Sequence, residues 1–447
     1  MRADAADNQN FVFRTLNYLG SKLRLLDFIE EHVERITANG RGVCDLFAGS
    51  GCVSYKLSKR FPVTACDIQH YSKVICDALL QRHSVSENDI CRFLDALSNN
   101  KSTILENAFS PLMQIEAEAM ENRKVDVLAD IVDHGSIEVF RRERQVSLIS
   151  HLQEKVCADL ESAGIGEGVG FISRNYGGVY FSYRQAVWID NILSTILRVV
   201  PRSEKSVYLA ALLSTASDMV DTVGKHFAQP IKTRDPSGRI KPLVYNKAIR
   251  DKTIDVFSLY AEWLRKYASL PRGGHSNMSI QGGYMDCLRT LEDNVQTVYA
   301  DPPYTRDHYS RFYHVLETIA RGDAPAIATV KIHGESHFSN GLYRRDRHQS
   351  PFCIRSKAPS AFNDMFSAVS SSGRNLLLSY SPYDETKKTH PRVVAMKQLV
   401  SWAKRYFKNV EVASAGRFSH NKLNSSGHLL ESSKEAEVLL ICTGAFK

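Results

Sequence analysis

Short apolar runs closed by a glycine or an acid mark both ends of the chain, whereas its middle repeats apolar residues at helical spacing. Gly42-Val43-Cys44-Asp45-Leu46-Phe47 is too short for a helix and reads as a buried strand. The turn Ala48-Gly49-Ser50-Gly51-Cys52 follows, then a helix from Val53 to about Arg60. A second strand, Val63-Thr64-Ala65-Cys66, ends in Asp67. Strand, glycine turn, helix, strand and acid predict the opening of a doubly wound α/β sheet. Upstream, Leu25, Leu26, Phe28, Ile29 and Val33 share one helical face between Leu16 and Ile36, and residues 1–12 read as a loose tail.

From about 100 to 160 the pattern is charged and helical, and it ends in a glycine-rich connection, Gly164 to Gly170. Helices are predicted over about 183–200, 204–228 and 251–267, with a polar turn at Thr233–Arg239. Strands resume at Met278–Ile280 and Val298–Ala300, and an aromatic-rich helix covers Ser310–Ala320. A basic loop spans His333–Lys357. The C-terminal part alternates helix Ala361–Ser370, strand Asn375–Tyr380, helix Val393–Tyr406, strand Val410–Ala413 and strand Glu437–Cys442.

Composition narrows the class only modestly. The 447 residues suffice for two or three domains, and 43% hydrophobic with 24% charged residues is ordinary for a globular protein. A formal charge of +8 favours a polyanionic partner. Nine scattered cysteines without a C-x-x-C or zinc spacing read as reduced thiols, and no metal site is expected. Met1–Asn10 is polar and no apolar run approaches a membrane span, so a soluble, cytoplasmic protein without membrane association is expected.

Two stretches carry candidate chemistry. Val298-Tyr299-Ala300 would deliver Asp301 to a sheet edge, where Pro302 and Pro303 stop the ladder because neither has an N–H to donate. Asp301 and the Pro302 carbonyl then offer two acceptors beside the Tyr304 ring, which suits a planar base bearing an exocyclic amino group. A strand ending in a Pro-Pro turn with a surface carboxylate is the plainer reading of the same residues. The second stretch is the turn at Gly49 and Gly51, where glycines let the backbone approach a ligand. Asp67, 22 residues after Asp45, stands where an acid would accept hydrogen bonds from a ribose. The third glycine of a nicotinamide fingerprint is absent. His333 and His337 flank Gly334 and read as loop rather than metal ligands.

Together, Asp45 with Phe47-Ala48-Gly49-Ser50-Gly51 and Asp301-Pro302-Pro303-Tyr304 resemble the amino-methyltransferases that use S-adenosylmethionine. More narrowly they resemble the adenine-specific DNA methyltransferases of the Dam-like D12 class, in which a lysine-bearing segment like Asn17-Tyr18-Leu19-Gly20-Ser21-Lys22 precedes the glycine motif. Tyr180-Phe181-Ser182, Asp221-Thr222-Val223-Gly224 and Leu378-Ser379-Tyr380-Ser381 are also similar to family segments. The resemblance implies a Rossmann-like class I methyltransferase sheet, mostly parallel with an antiparallel strand near the C-terminal end, plus a mainly helical insertion. It divides the chain into a discontinuous catalytic domain, 13–98 and 276–447, and an accessory or DNA-recognition insertion, 99–275. Phe47, Gly49 and Gly51 would shape the donor pocket, and Tyr18 and Lys22 would close its methionine end, with Lys22 pairing the donor's carboxylate. Asp45 belongs to the same motif, Asp67 would hold the ribose, and Asp286 matches the segment beside the donor's adenine, or is a surface carboxylate.

The resemblance also implies methyl transfer to the 6-amino group of adenine in double-stranded DNA. The amine is a poor nucleophile because its lone pair enters the ring. Acceptors at Asp301 and Pro302 would draw the nitrogen toward tetrahedral geometry and stabilise its developing charge. The base must leave the duplex, and Tyr304 would stack on it. Arg306, Arg311 and His314, and later Arg344, Arg345, Arg347, Arg355 and Lys357, are candidates for DNA contact. RNA adenine or the cytosine 4-amino group are alternative acceptors, and a non-catalytic DNA-binding protein that keeps the fold is a third reading. A cognate restriction endonuclease would be a natural partner. Recognition sequence and oligomeric state are not legible.

Overall fold

The computed structural model of the chain describes residues 13–99, 103–382, 392–414 and 437–446, so the expected tail over 1–12 lies outside the described residues. The described strands are β1 (Gly42–Asp45), β2 (Val63–Asp67), β3 (Met278–Gln281), β4 (Val295–Ala300), β5 (Thr329–Ile332), β6 (Glu335–Phe338), β7 (Asn375–Tyr380), β8 (Phe407–Ser414) and β9 (Val438–Ala445). Seven of them form one sheet in the order β3-β2-β1-β4-β7-β9-β8. Parallel pairing joins β3 to β2, β2 to β1, β1 to β4 and β4 to β7, while β9 runs antiparallel between β7 and β8. The chain therefore winds outward from β1 in one direction and resumes at β4 on its other side. That reversal opens a crevice beyond the strand ends, where ligands bind in open α/β sheets.

Alternation along each central strand explains why both sheet faces are covered. Val43, Tyr299, Leu377 and Ile441 point into one apolar core. Their neighbours Cys44, Val298, Leu376, Leu378 and Leu440 point into the other. A strand buried on both sides reads as an unbroken apolar run, and that is what made these strands visible in the sequence.

The first core continues without interruption into helices. His70–Leu80, Tyr183–Val199, Lys205–Met219 and Val256–Ala268 all contribute to it. Lys205–Met219 is buried nearly all round, as a helix without a polar face must be. The second half of the helical segment thus shares the core of the sheet. Helices Thr103–Glu121, Val125–His134, Ile137–Glu143 and Ser150–Ser162 instead build smaller cores of their own.

Some elements differ from expectation. The helix expected over Ser310–Ala320 breaks at Tyr313 into Tyr309–Phe312 and His314–Arg321. Tyr313 leaves helical geometry at φ −123° and its Oη accepts the Leu19 N–H at 2.6 Å. The basic stretch after His333 is not all loop, because β5 and β6 pair as an antiparallel hairpin. His333 and Gly334 turn it with φ of 49° and 89°.

Candidate active site

Three acids stand at neighbouring strand ends: Asp45 closes β1, Asp67 closes β2 and Asp301 follows β4. They line one cavity of about 330 Å³, together with Tyr18, Lys22, Phe47, Gly49, Tyr284, Asp286, Pro303 and Tyr309.

Its donor side is built on the glycine turn. Gly49 and Gly51 take φ of 52° and 73°, the left-handed region that glycine enters without strain. The Gly49 N–H donates to Asp67 Oδ2 at 2.9 Å and the Gln69 N–H donates to Oδ1 at 2.8 Å, so Asp67 is held by the backbone of both turns. Tyr18 lies across Gly49 so closely that a Cβ there would be 2.6 Å from its Oη. The Tyr18 ring is in turn stacked on Tyr313, with centroids 4.9 Å apart and planes 9° apart. Phe47 and Tyr284 supply an aromatic end, their rings 25° from parallel. Asp286 stands at the rim, mostly exposed, and pairs with Arg289 at 2.7 Å.

Asp45 is the unusual group of this half. The Ser54 hydroxyl donates to its Oδ2 at 2.6 Å, but Oδ1 is buried without a hydrogen-bond partner. Burial pushes its carboxyl up to about 7 against the pull of Ser54, and burial likewise raises Asp67 to about 6 against its two backbone donors. An orphaned buried acceptor costs free energy until a ligand donor reaches it. The open acceptor of Asp45, the cradle at Gly49 and the aromatic end suit a ligand with a cationic group at one end and a flat ring at the other. S-adenosylmethionine fits those demands.

The segment carrying Tyr18 and Lys22 is held from both sides. The Thr15 hydroxyl donates to the Ser50 carbonyl at 2.7 Å, and the Ser214 hydroxyl donates to the Thr15 carbonyl at 2.7 Å. The Asn17 side-chain amide donates to the Ser217 carbonyl at 2.9 Å and to Asp218 Oδ1 at 3.0 Å.

On the acceptor side the ammonium of Lys22 lies 2.7 Å from Asp301 Oδ2, 3.3 Å from Glu437 Oε1 and 3.2 Å from the Gly20 carbonyl. Three acceptors match its three N–H groups, and Lys22, expected beside a donor carboxylate, is paired with Asp301 and Glu437. Burial opposes the charge on Lys22, yet Asp301 and Glu437 together hold its pKa well above the usual lysine value. Burial raises the Asp301 carboxyl to about 6, with Lys22 pulling it down and Glu437 pushing it up. Pro302 is buried and Tyr304 is half-buried. The Tyr304 ring packs edge-on to Tyr380 at 5.4 Å, with the Arg392 guanidinium 4.7 Å from its centroid.

A mostly parallel sheet wound in this order, with a glycine turn at the reversal and an Asp-Pro-Pro-Tyr corner one strand away, is an α/β methyltransferase-like architecture. The profile of the D12 class N6 adenine-specific DNA methyltransferases matches residues 18–131 and 279–351. Those two segments are similar to that family, whose members use S-adenosylmethionine. The chain is similar to the modification methylase LlaI of Lactococcus lactis subsp. lactis, at 23% identity over 435 residues, covering 95% of this chain and 54% of that protein. It is also similar to the type II methyltransferase M.FokI of Planomicrobium okeanokoites, at 24% identity over 377 residues, covering 82% of this chain and 44% of that protein. The chain spans about half the length of these relatives.

The basic candidates divide by burial. Arg306, Arg311, Arg345, Arg355 and Lys357 are exposed and Arg347 is half-buried. Arg311 and Arg347 share the ring of Tyr343, at 5.1 and 4.6 Å from its centroid. His314 and Arg344 are not on that surface. The buried imidazole of His314 donates to the Phe227 carbonyl at 3.0 Å, and burial lowers its pKa to about 3, so it has no charge to offer a phosphate. Arg344 is 2% exposed, and Asp323 at 2.7 Å and Asp346 at 3.0 Å already neutralise it. Sequence reasoning missed Glu437 and Arg392. Each lies far along the chain from the motif it meets, and only an acid placed directly before the last apolar run hinted at Glu437.

Proposed function

We propose that this chain methylates the 6-amino group of adenine in double-stranded DNA, with the target base turned out of the helix. The observation that carries the reading is a shared cavity: Asp301 and Pro303 line the same space as Gly49 and Asp67. When bound, S-adenosylmethionine supplies an electrophilic methyl group on a sulfonium. Asp45 would meet the ammonium of that ligand, Asp67 its ribose and the Phe47 end its ring, with Asp286 at the rim. Asp301 and the Pro302 carbonyl would accept the two amino hydrogens of adenine and localise the nitrogen lone pair. Tyr304 would stack on the base, which cannot react inside the duplex.

The exposed cations Arg306, Arg311, Arg345, Arg355 and Lys357, with Arg347, would neutralise backbone phosphates. The helices of 99–275 are the natural place for sequence readout. A cognate restriction endonuclease would be the partner whose cleavage this modification blocks. The test is transfer of labelled methyl groups to duplex DNA, single strands and RNA, followed by nucleoside mass spectrometry. N6-methyladenine from duplex DNA is expected, and abolished by Asp301→Ala with donor binding retained. Labelled cytosine, label only in RNA, or an active Asp301→Ala variant would overturn the reading.

A further inference from the structure

We infer that Glu437 is a positioning residue for the methyl transfer, which cancels the charge of Lys22 so that the corner at Asp301 stays net negative toward the amine. The inference rests on the proposed function and names a group outside the family motifs.

The geometry is specific. Register pairs Tyr380 with Val438, so Glu437 emerges just before β9, directly beside the end of β7. The Ser379 hydroxyl donates to Glu437 Oε1 at 2.7 Å, and the same oxygen faces the Lys22 ammonium at 3.3 Å. Lys22 and Glu437 are only 5% and 4% exposed, while Asp301 at 20% reaches the cavity. The buried pair is therefore the inner part of the cluster and Asp301 its working face.

Electrostatics gives that arrangement a purpose. In the reaction a bond forms from the amine nitrogen to the methyl carbon as the carbon–sulfur bond breaks. The sulfur keeps that electron pair, the nitrogen becomes cationic, and it then releases a proton to solvent. A stabilising corner must be negative when the nitrogen is positive. Asp301 with Lys22 alone would be neutral, one charge cancelling the other at 2.7 Å. Adding Glu437 returns the cluster to a net charge of minus one. The remaining charged or titratable groups facing Asp301 among the described residues are Asp45, Tyr299, Tyr304, Tyr309 and, beyond the Tyr304 ring, Arg392. The like charge of Glu437 also acts to keep the Asp301 carboxyl up.

Glu437→Gln keeps the size and the acceptor for Ser379 but removes the charge. Saturating turnover on duplex DNA, followed from pH 5 to 9, should fall roughly tenfold at its plateau, about 1.4 kcal/mol of barrier. The acid limb should move to lower pH, because Asp301 loses a neighbouring negative charge. The donor's KM and DNA affinity should stay within twofold. In a Lys22→Met background the same substitution should still move the acid limb to lower pH, since the charge of Glu437 also acts on Asp301 directly. An unchanged plateau and limb, an acid limb that no longer moves in the Lys22→Met background, or a Ser379→Ala variant that reproduces the whole effect would overturn the inference. Should Glu437→Gln not fold, Glu437→Asp draws the charge back by one methylene and should move both readouts the same way by less. If the wild-type chain methylates no nucleic acid, the proposed function fails. The carbon-13 titration of Asp301 then decides the charge coupling by itself: a lower midpoint in Glu437→Gln upholds it and an unmoved one sinks it.

Discussion

Gly49→Ala is the sharpest perturbation of the donor cavity. At φ 52° an alanine costs about 1–2 kcal/mol relative to its preferred backbone. The new methyl would stand 2.6 Å from Tyr18 Oη and 2.8 Å from its Cζ, far inside contact distance, so the ring must retreat. Retreat is opposed because Tyr18 is stacked on Tyr313 at 4.9 Å and flanked by Tyr309 at 5.6 Å. Losing that stack costs roughly 0.5–1.5 kcal/mol. Together these give about 1.5–3.5 kcal/mol, expressed as lost stability, lost donor affinity or a division between them. At about 1.4 kcal/mol per tenfold, donor binding would weaken by up to about three hundredfold. Calorimetric titration with S-adenosylmethionine and urea denaturation of the same samples measure both shares. Gly274→Ala is the control, because a Cβ there meets nothing within 4 Å and the backbone is not left-handed. If Gly49→Ala binds donor within threefold of wild type and unfolds at the same urea concentration, the cradle described for this turn is wrong.

Other outcomes follow from groups already placed. Asp45, at about 7 when folded against an ordinary value of 3.8, binds more protons folded than unfolded between those pH values. Its contribution to stability is therefore present at low pH and lost as pH rises through about 7. Urea unfolding of the donor-free chain between pH 4 and 8 should show that decline, and Asp45→Asn should flatten it; an identical slope in the variant would sink the assignment. Arg347→Gln should weaken DNA binding and lower the dependence of log affinity on log salt by about one, leaving donor binding unchanged. Leu377→Ala, at a position fully buried in β7, should cost about 2–5 kcal/mol in urea unfolding without altering turnover per folded molecule.

What could be read from the residues and what could not divides along physical lines. Strands such as Asn375–Tyr380 announce themselves because both faces are covered, and the two motif-bearing turns because proline and glycine dictate backbone geometry locally. The break at Tyr313 was invisible, since its cause is a hydrogen bond to Leu19 from the other end of the chain. Arg344 counts by sequence among the candidates for DNA contact, and only the folded chain brings Asp323 and Asp346 around it. The same holds for Lys22, which the family resemblance places beside a ligand carboxylate, while the two carboxylates that meet it are Asp301 and Glu437. Charge identifies a residue as costly to bury, but its partner is a property of topology.

The anchoring of residues 15–17 has a consequence for how such an enzyme can diversify. Thr15 holds the glycine turn through Ser50, while Ser214, Ser217 and Asp218 hold Thr15 and Asn17 from a helix outside the sheet. Trp263, on yet another helix, donates to Asp218 at 3.1 Å. A graft of foreign helices between the two halves of the sheet would remove the hands that hold the strap, and with them Tyr18 and Lys22. Crossovers that replace only the outer helices, Thr103 to Ser162, spare every one of these bonds. Recombination at the outer helices therefore leaves the strap in place, while the inner ones must be inherited together with the sheet.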